Sequence, residues 1–234
     1  MNRAEIMAPI LLSLKIAVIS TFITLILGLI LAYVFTKHEF LFKDGLEVIL
    51  TLPMTLPPTI MGYILLLLFS RKGPIGKILY NAFDINVIFT WVAGCIAAVV
   101  VSLPLMYQSI KSSFLSTDPV YENVARTLGK SEFEIFTKVT IPLALPGIVS
   151  GIVLSFSRAI GEFGATLMVA GNIPGKTETI PLAIFYAVES NNRQKANLLM
   201  AIVIGFSFIN IYLLNKWIKK RKVNWCSLWI LKNN

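Results

Sequence analysis

The 234-residue sequence predicts an all-α polytopic membrane protein with five membrane-crossing helices, or six if one of two shorter apolar stretches also crosses. Three observations carry that expectation. Only 14% of the residues are charged, against about 25% in an ordinary soluble domain, and 56% are hydrophobic. Five runs contain no Asp, Glu, Lys, Arg or His: Ile16–Thr36, Val48–Ser70, Ile85–Ile110, Val139–Ser157 and Ala196–Asn215. The shortest has 19 residues, and roughly 20 suffice for a helix to cross a hydrocarbon core of about 30 Å. This composition excludes a disordered chain, a nucleic-acid-binding domain and a typical soluble enzyme.

In lipid each backbone amide must be bonded within its own segment, so the runs read as helices. The first span begins nearer Ala8, which places Lys15 inside it with its stem snorkelling toward the head groups. It reads as a retained span, because Glu5 offsets Arg3 and no small-x-small cleavage site follows the apolar run. The second run holds Pro53, Pro57 and Pro58, which free carbonyls and break the helix. Such backbone is tolerated where it is buried in protein or lines a water-filled cavity. Thr55, Pro57, Pro58 and Thr59 are therefore candidates for lining a pathway, with a bend needed only for packing as the plainer reading. Pro104 with Ser102 in the third run is a weaker candidate.

The segment 111–138 is the longest polar loop and reads as two short helices. Asp118 suits an N-cap and Pro119 the first helical position. Val120, Tyr121, Val124, Ala125 and Leu128 then share one face of a helix, and Gly129 ends it. Ser131 and Glu134 form a capping box for the second helix, which carries Phe133, Ile135 and Phe136. A helix this short is marginal alone in water. Its apolar face either packs on its own bundle or is offered to a separate subunit.

The helix of the fourth run begins at Pro142 and contains Pro146, so its near end is expected to be kinked or loosened. Gly147 and Gly151 form a small-residue step for close helix packing, within the subunit or between copies. Arg158 and Glu162, four apart at the far end, can pair on one face. They either pin the helix end or act on an anion at the mouth of a pathway. Phe163–Gly175 and Thr179–Val188 are too short to cross and read as re-entrant or interfacial elements. The fifth run ends in the basic cluster Lys216–Lys222, with Trp217, Trp225 and Trp229 suited to a membrane interface.

Lys and Arg divide twelve to seven between the two sides, which puts the 111–138 loop and the C-terminal tail in the cytoplasm and the N-terminus outside. The net charge of +9 reads as orientation and attraction to anionic lipid. Cys95 and Cys226 imply no disulfide framework, and no spacing suits a metal or cofactor. Ala170–Thr177 reads AGNIPGKT, one residue short of a phosphate loop. Between bilayer elements on the outer side it reads as a turn, so any ATP must be used by another protein. Residues 1–222 read as one transmembrane domain and 223–234 as a cytoplasmic or interfacial tail.

Two stretches carry a resemblance. Asn123-Val124-Ala125-Arg126-Thr127-Leu128-Gly129, followed after nine residues by Val139-Thr140-Ile141-Pro142, is similar to the "EAA" loop of ABC-importer permeases. The match lies at Ala125, Gly129 and Pro142, with conservative Val139 and Ile141. It departs at Asn123 and Val124, although Glu122 is adjacent. Ser157-Arg158-Ala159-Ile160-Gly161-Glu162-Phe163-Gly164-Ala165-Thr166 resembles permeases for tetrahedral oxyanions, and Gly171–Pro181 is closer to those for molybdate. The resemblance implies a type I ABC importer permease fold whose loop is a coupling helix docked in a cleft of an ATPase subunit. It also implies an extracytoplasmic molybdate-binding protein as partner, with sulfate or tungstate as alternative cargoes. A homodimer is expected because one five-helix chain encloses little pathway. The rival class, an ion-gradient secondary transporter, would use intramembrane carboxylates, and the five runs contain none.

Overall fold

The computed structural model describes residues 3–232, with side-chain surroundings for 5–217. The described residues form helices joined by short loops. The side chains of the basic cluster beyond Trp217, of Trp225, Trp229 and Cys226, and with them the tail 223–234, lie outside that side-chain description. The end carrying Lys37 is called the inner end here, following the charge bias.

The first span is α1 (Arg3–Lys37). The second run is not one rod. It is α2 (Lys43–Thr51), a 3-10 turn (Leu52–Met54) and α3 (Pro58–Phe69), with axes turned by 114° at the break. The cause is local. A residue before proline is pushed toward extended backbone, and Pro57 sits at φ −54°, ψ 136° ahead of Pro58. A short helix, α4 (Pro74–Phe83), follows between the second and third runs. Gly73 and Pro74 are its N-cap and first residue.

The third span, α5, runs Trp91–Leu115, so it starts later and ends later than the uncharged run Ile85–Ile110. Thr90 caps it, and the Phe89 N–H is spent on the Val169 carbonyl at 2.9 Å, which holds the preceding residues outside the helix. Lys111 therefore belongs to α5, and the loop proper begins at Ser116. Next come α6 (Pro119–Thr127) and α7 (Glu132–Ile135), then a π-helical turn (Phe136–Thr140) that leads into α8 (Ile141–Ile160). The expected loosening at Pro142 and Pro146 takes the form of this wider turn, in which the Ile141 N–H reaches back to the Phe136 carbonyl.

The stretches after α8 give α9 (Gly164–Ala170) and α10 (Ile180–Glu189), both too short to cross. The last span is α11 (Arg193–Lys232). Four helices are long and apolar enough to cross a membrane, and the bent α2–α3 pair makes a fifth if counted as one span.

The centre is the bundle of α1, α5 and α8. Lipid tails are as apolar as leucine, so close approach of small residues and interhelical hydrogen bonds hold such a bundle. A Cβ at Gly147 would overlap that of Ser113 and stand 2.7 Å from the Ser109 carbonyl oxygen, while one at Gly151 would stand 2.9 Å from Met106 Sδ. Both glycines thus face α5 of the same chain. Ser155 donates to the Ser102 carbonyl at 3.1 Å, and Ser20 to that of Cys95 at 3.2 Å. The Lys15 Nζ lies over the Trp91 ring, 3.7 Å from the centroid.

Candidate functional site

Two places gather the candidate residues: the inner-end loop around α6, and the outer half, where the α2–α3 break meets the start of α9 just beyond α8.

The loop is built by local rules. Asp118 accepts from the Val120 N–H at 2.9 Å and starts α6 at Pro119. At its end Gly129 takes φ +73°, with Gly129 N–H bonded to the Arg126 carbonyl and Lys130 N–H to that of Ala125. That pair of bonds is a Schellman motif, which needs the left-handed conformation glycine adopts at least cost. The capping box is present: Ser131 Oγ accepts from Glu134 N–H while the Glu134 carboxylate reaches the Ser131 N–H. Arg126 bridges the corner with two hydrogen bonds to Glu132, at 2.6 and 3.0 Å, and one to Asn123 Oδ1 at 3.0 Å. Arg126 and Asn123 are therefore committed to the shape of the loop, and the Arg126 guanidinium holds the Glu132 carboxyl below the usual carboxylate range.

The orientation of α6 is the informative fact. Val120, Tyr121, Val124 and Leu128 are all exposed, Leu128 at 73%, and Phe133 on α7 at 76%. Ala125 is half-buried. The residue that α6 turns inward is polar: Glu122, 5% exposed. Its Oε2 pairs with Lys37 at the end of α1, and its Oε1 accepts from Thr140 Oγ1 at 2.8 Å. Burial alone would raise this carboxyl, but Lys37 and Thr140 outweigh it and hold it below the ordinary range. The helix thus shows its apolar face to the outside and its charge to the bundle, the reverse of a helix packed on its own protein. Val139 and Ile141 lie half-buried after α7, and Pro142 is exposed.

In the outer half, Arg158 Nη1 lies 2.7 Å from Glu162 Oε2, so the sequence-predicted pair forms. The Glu162 side chain is buried, and its Oε1 accepts from the Ala165 N–H at 2.8 Å in the first turn of α9. Gly164 lies directly on the break in the second span: a Cβ there would stand 2.9 Å from Pro58 Cβ and 3.4 Å from the Thr59 N. The chain therefore joins two candidates that lie about a hundred residues apart in sequence. Thr55, Pro57, Pro58 and Thr59 are all exposed on the single chain, and Thr55 satisfies its hydroxyl on the Leu52 carbonyl at 3.0 Å. Gly171–Thr177 folds on itself: Thr177 Oγ1 accepts from Ile173 N–H and donates to the Gly171 carbonyl, so the phosphate-loop-like string is a closed turn. Among the described residues no group of His, Cys, Asp or Glu suits a metal ion.

Residues 24–223 match the family described as binding-protein-dependent transport system inner membrane component. The chain belongs to this family. The permease is 39% identical over 215 residues to the putative molybdenum transport system permease protein YvgM of Bacillus subtilis, covering 92% of this chain and 95% of that one. It is 37% identical over 212 residues to the molybdenum transport system permease protein ModB of Escherichia coli, covering 90% and 92%. A sulfate transport system permease, CysT of Salmonella typhimurium, is 31% identical over 92% of this chain and 77% of its own. Its fold is that of a chain of the MetNI methionine ABC transporter in an inward-facing conformation, with a TM-score of 0.71 at 14% identity over 94% and 99% of the two chains. A bacterial alginate ABC importer gives 0.74 at 13% identity over 94% and 80%. The permease is a multi-pass inner-membrane transport subunit, not an enzyme.

Sequence reasoning missed Glu122 as the anchor of the permease loop. One signal was available, the Glu122–Arg126 spacing of four, which the structure realises loosely at 3.6 Å. Nothing local points to Lys37, 85 positions away.

Proposed function

We propose that this permease carries molybdate inward as the membrane-spanning part of an ATP-driven, binding-protein-dependent importer, working as a symmetric pair. The observation that carries the reading is the outward apolar face of α6. A short amphipathic helix does not leave Val120, Val124 and Leu128 in water without a partner, and a helix laid in a groove of another protein is the common solution. In this reading each copy offers one such helix, with Gly129 and the Arg126–Glu132 corner fixing its shape, to one of two cytoplasmic ATPase subunits. Val139, Ile141 and Pro142 continue that contact into α8.

Molybdate is the cargo because permeases named for molybdenum transport match at 37–39% identity along nearly their whole length, against 31% for the sulfate permease. A solved complex of the alginate importer with a periplasmic protein supports delivery by an outer binding protein. The pathway runs between the two copies, past the α2–α3 break at Thr55, Pro57, Pro58 and Thr59, and past Arg158. Arg158 draws the oxyanion while Glu162 keeps it from being trapped, which suits a route that must release its cargo.

Crosslinking tests the docking. A cysteine at position 128, in a variant lacking Cys95 and Cys226, should crosslink to the ATPase subunit in membranes, and one at position 198 on α11 should not. No crosslink from 128 in an ATPase-containing, transport-active complex would overturn the reading.

A further inference from the structure

We propose that Glu122 is the positioning residue that ties α6 to α1 and α8 together, so that movement of the docked helix is handed to both spans at once. The inference rests on the docking of α6 proposed above and adds the route by which force leaves that helix.

The contacts are specific. Glu122 joins three elements through one carboxylate: its own helix, the last residue of α1 through Lys37, and the last residue of the π-helical turn through Thr140. Among the described residues it is the one α6 side chain with a hydrogen bond or ion pair to α1 or to the helix entering α8. Arg126, the other charged side chain of α6, leads to Glu132 on α7 and back to α6 itself. The remaining α6 side chains bond locally or face outward, apart from the half-buried and apolar Ala125.

The place where Glu122 acts is mechanically suited. A π-helical turn interrupts the regular α-helical bonding pattern, and π segments gather at functional sites. This one is followed by Pro142 and Pro146, each of which removes a backbone donor from the inner end of α8. A pull on Thr140 therefore acts where α8 is least held by its own backbone. A buried carboxylate is costly without partners, and removing one partner strands the other. The three groups consequently move together or not at all, which makes the contact a coupling element rather than a surface ion pair.

The test uses the complete complex, permease with ATPase subunits and binding protein, in lipid vesicles. Three quantities are read: ATPase retained, ATP hydrolysed, and molybdate transported per ATP. Glu122→Gln should retain the ATPase and hydrolyse ATP, yet transport per ATP should fall at least about fivefold, the low end of ordinary coupling free energies. Thr140→Val, which leaves the ion pair in place, should cause a smaller fall in the same ratio. Exchanging the charges with Lys37→Glu and Glu122→Lys should restore part of it. An unchanged ratio in Glu122→Gln overturns the proposal, as does loss of the ATPase from that variant, because the residue would then shape the docking surface rather than transmit from it. If Glu122→Gln fails to fold into the membrane at all, an unchanged ratio in Thr140→Val overturns the proposal. Docking itself is read separately from Val124→Ser with Leu128→Ser. ATPase retention and normal uptake in that variant would sink the docking reading whatever the Glu122 variants do.

Discussion

At the residue scale the permease uses a few side chains whose chemistry leaves little choice. Gly129 sits at φ +73° with open space around it, so the constraint there is backbone conformation and not room. Replacing it by valine should cost about 1–2 kcal/mol locally, the penalty of left-handed backbone for a residue with a Cβ. That is enough to reshape the corner between α6 and α7. ATP hydrolysis should continue while molybdate uptake drops, and wild-type uptake per ATP in that variant would refute a role for the corner in docking. Arg158 faces a different constraint. Its partner Glu162 is buried, and stranding a buried charge costs about 3–5 kcal/mol where it is fully enclosed, less here because Arg158 is about a third exposed. Arg158→Gln combined with Glu162→Gln removes both charges and is the cleaner variant. It should assemble with its ATPase and import more slowly. Normal kinetics would leave the pair as a pin for the end of α8.

At the element scale, α5 and α8 approach through Gly147, Gly151, Ser109 and Ser113. Gly147→Val should push the helices apart at a cost of about 1–3 kcal/mol, as overpacking usually does. The expected readout is a lowered thermal midpoint in detergent, with the permease still inserted in the membrane; an unchanged midpoint would show that the helices repack freely there. Elements differ in how much of them the sequence reveals. Asp118-Pro119, Gly129 and Ser131–Glu134 announce the ends of α6 and α7 because capping is a local bargain between a side chain and the nearest free N–H. The start of α5 does not announce itself. Ile85–Thr90 is as apolar as the helix after it, and what keeps it out is a bond from Phe89 to Val169 in a distant element. The 114° turn at Pro57-Pro58 is legible as a break but not as an angle, since its direction is set by Gly164 accepting Pro58.

At the scale of the whole molecule, uncharged runs of bilayer length are enough to establish a polytopic helical protein, because lipid admits few alternatives. The proposed coupling site is only half legible. Its apolar face can be read from Val120, Val124 and Leu128, but periodicity alone leaves two directions for that face. The direction is fixed by Glu122, Lys37 and Thr140, residues that meet only in the folded chain. Likewise, the break at Pro58 is seen to lie beside the segment that follows Arg158 and Glu162 only because Gly164 of α9 receives it in the folded chain. Among the described residues the string that most resembles a nucleotide site is a turn closed by Thr177. In the proposed reading, work against a gradient enters through the exposed face of α6. Molybdate uptake into sealed vesicles, measured with and without the ATPase subunits, tests this most directly. Accumulation should require the ATPase and ATP and should vanish when Val124 and Leu128 are both replaced by serine. Accumulation against a gradient by vesicles containing the permease alone would contradict it.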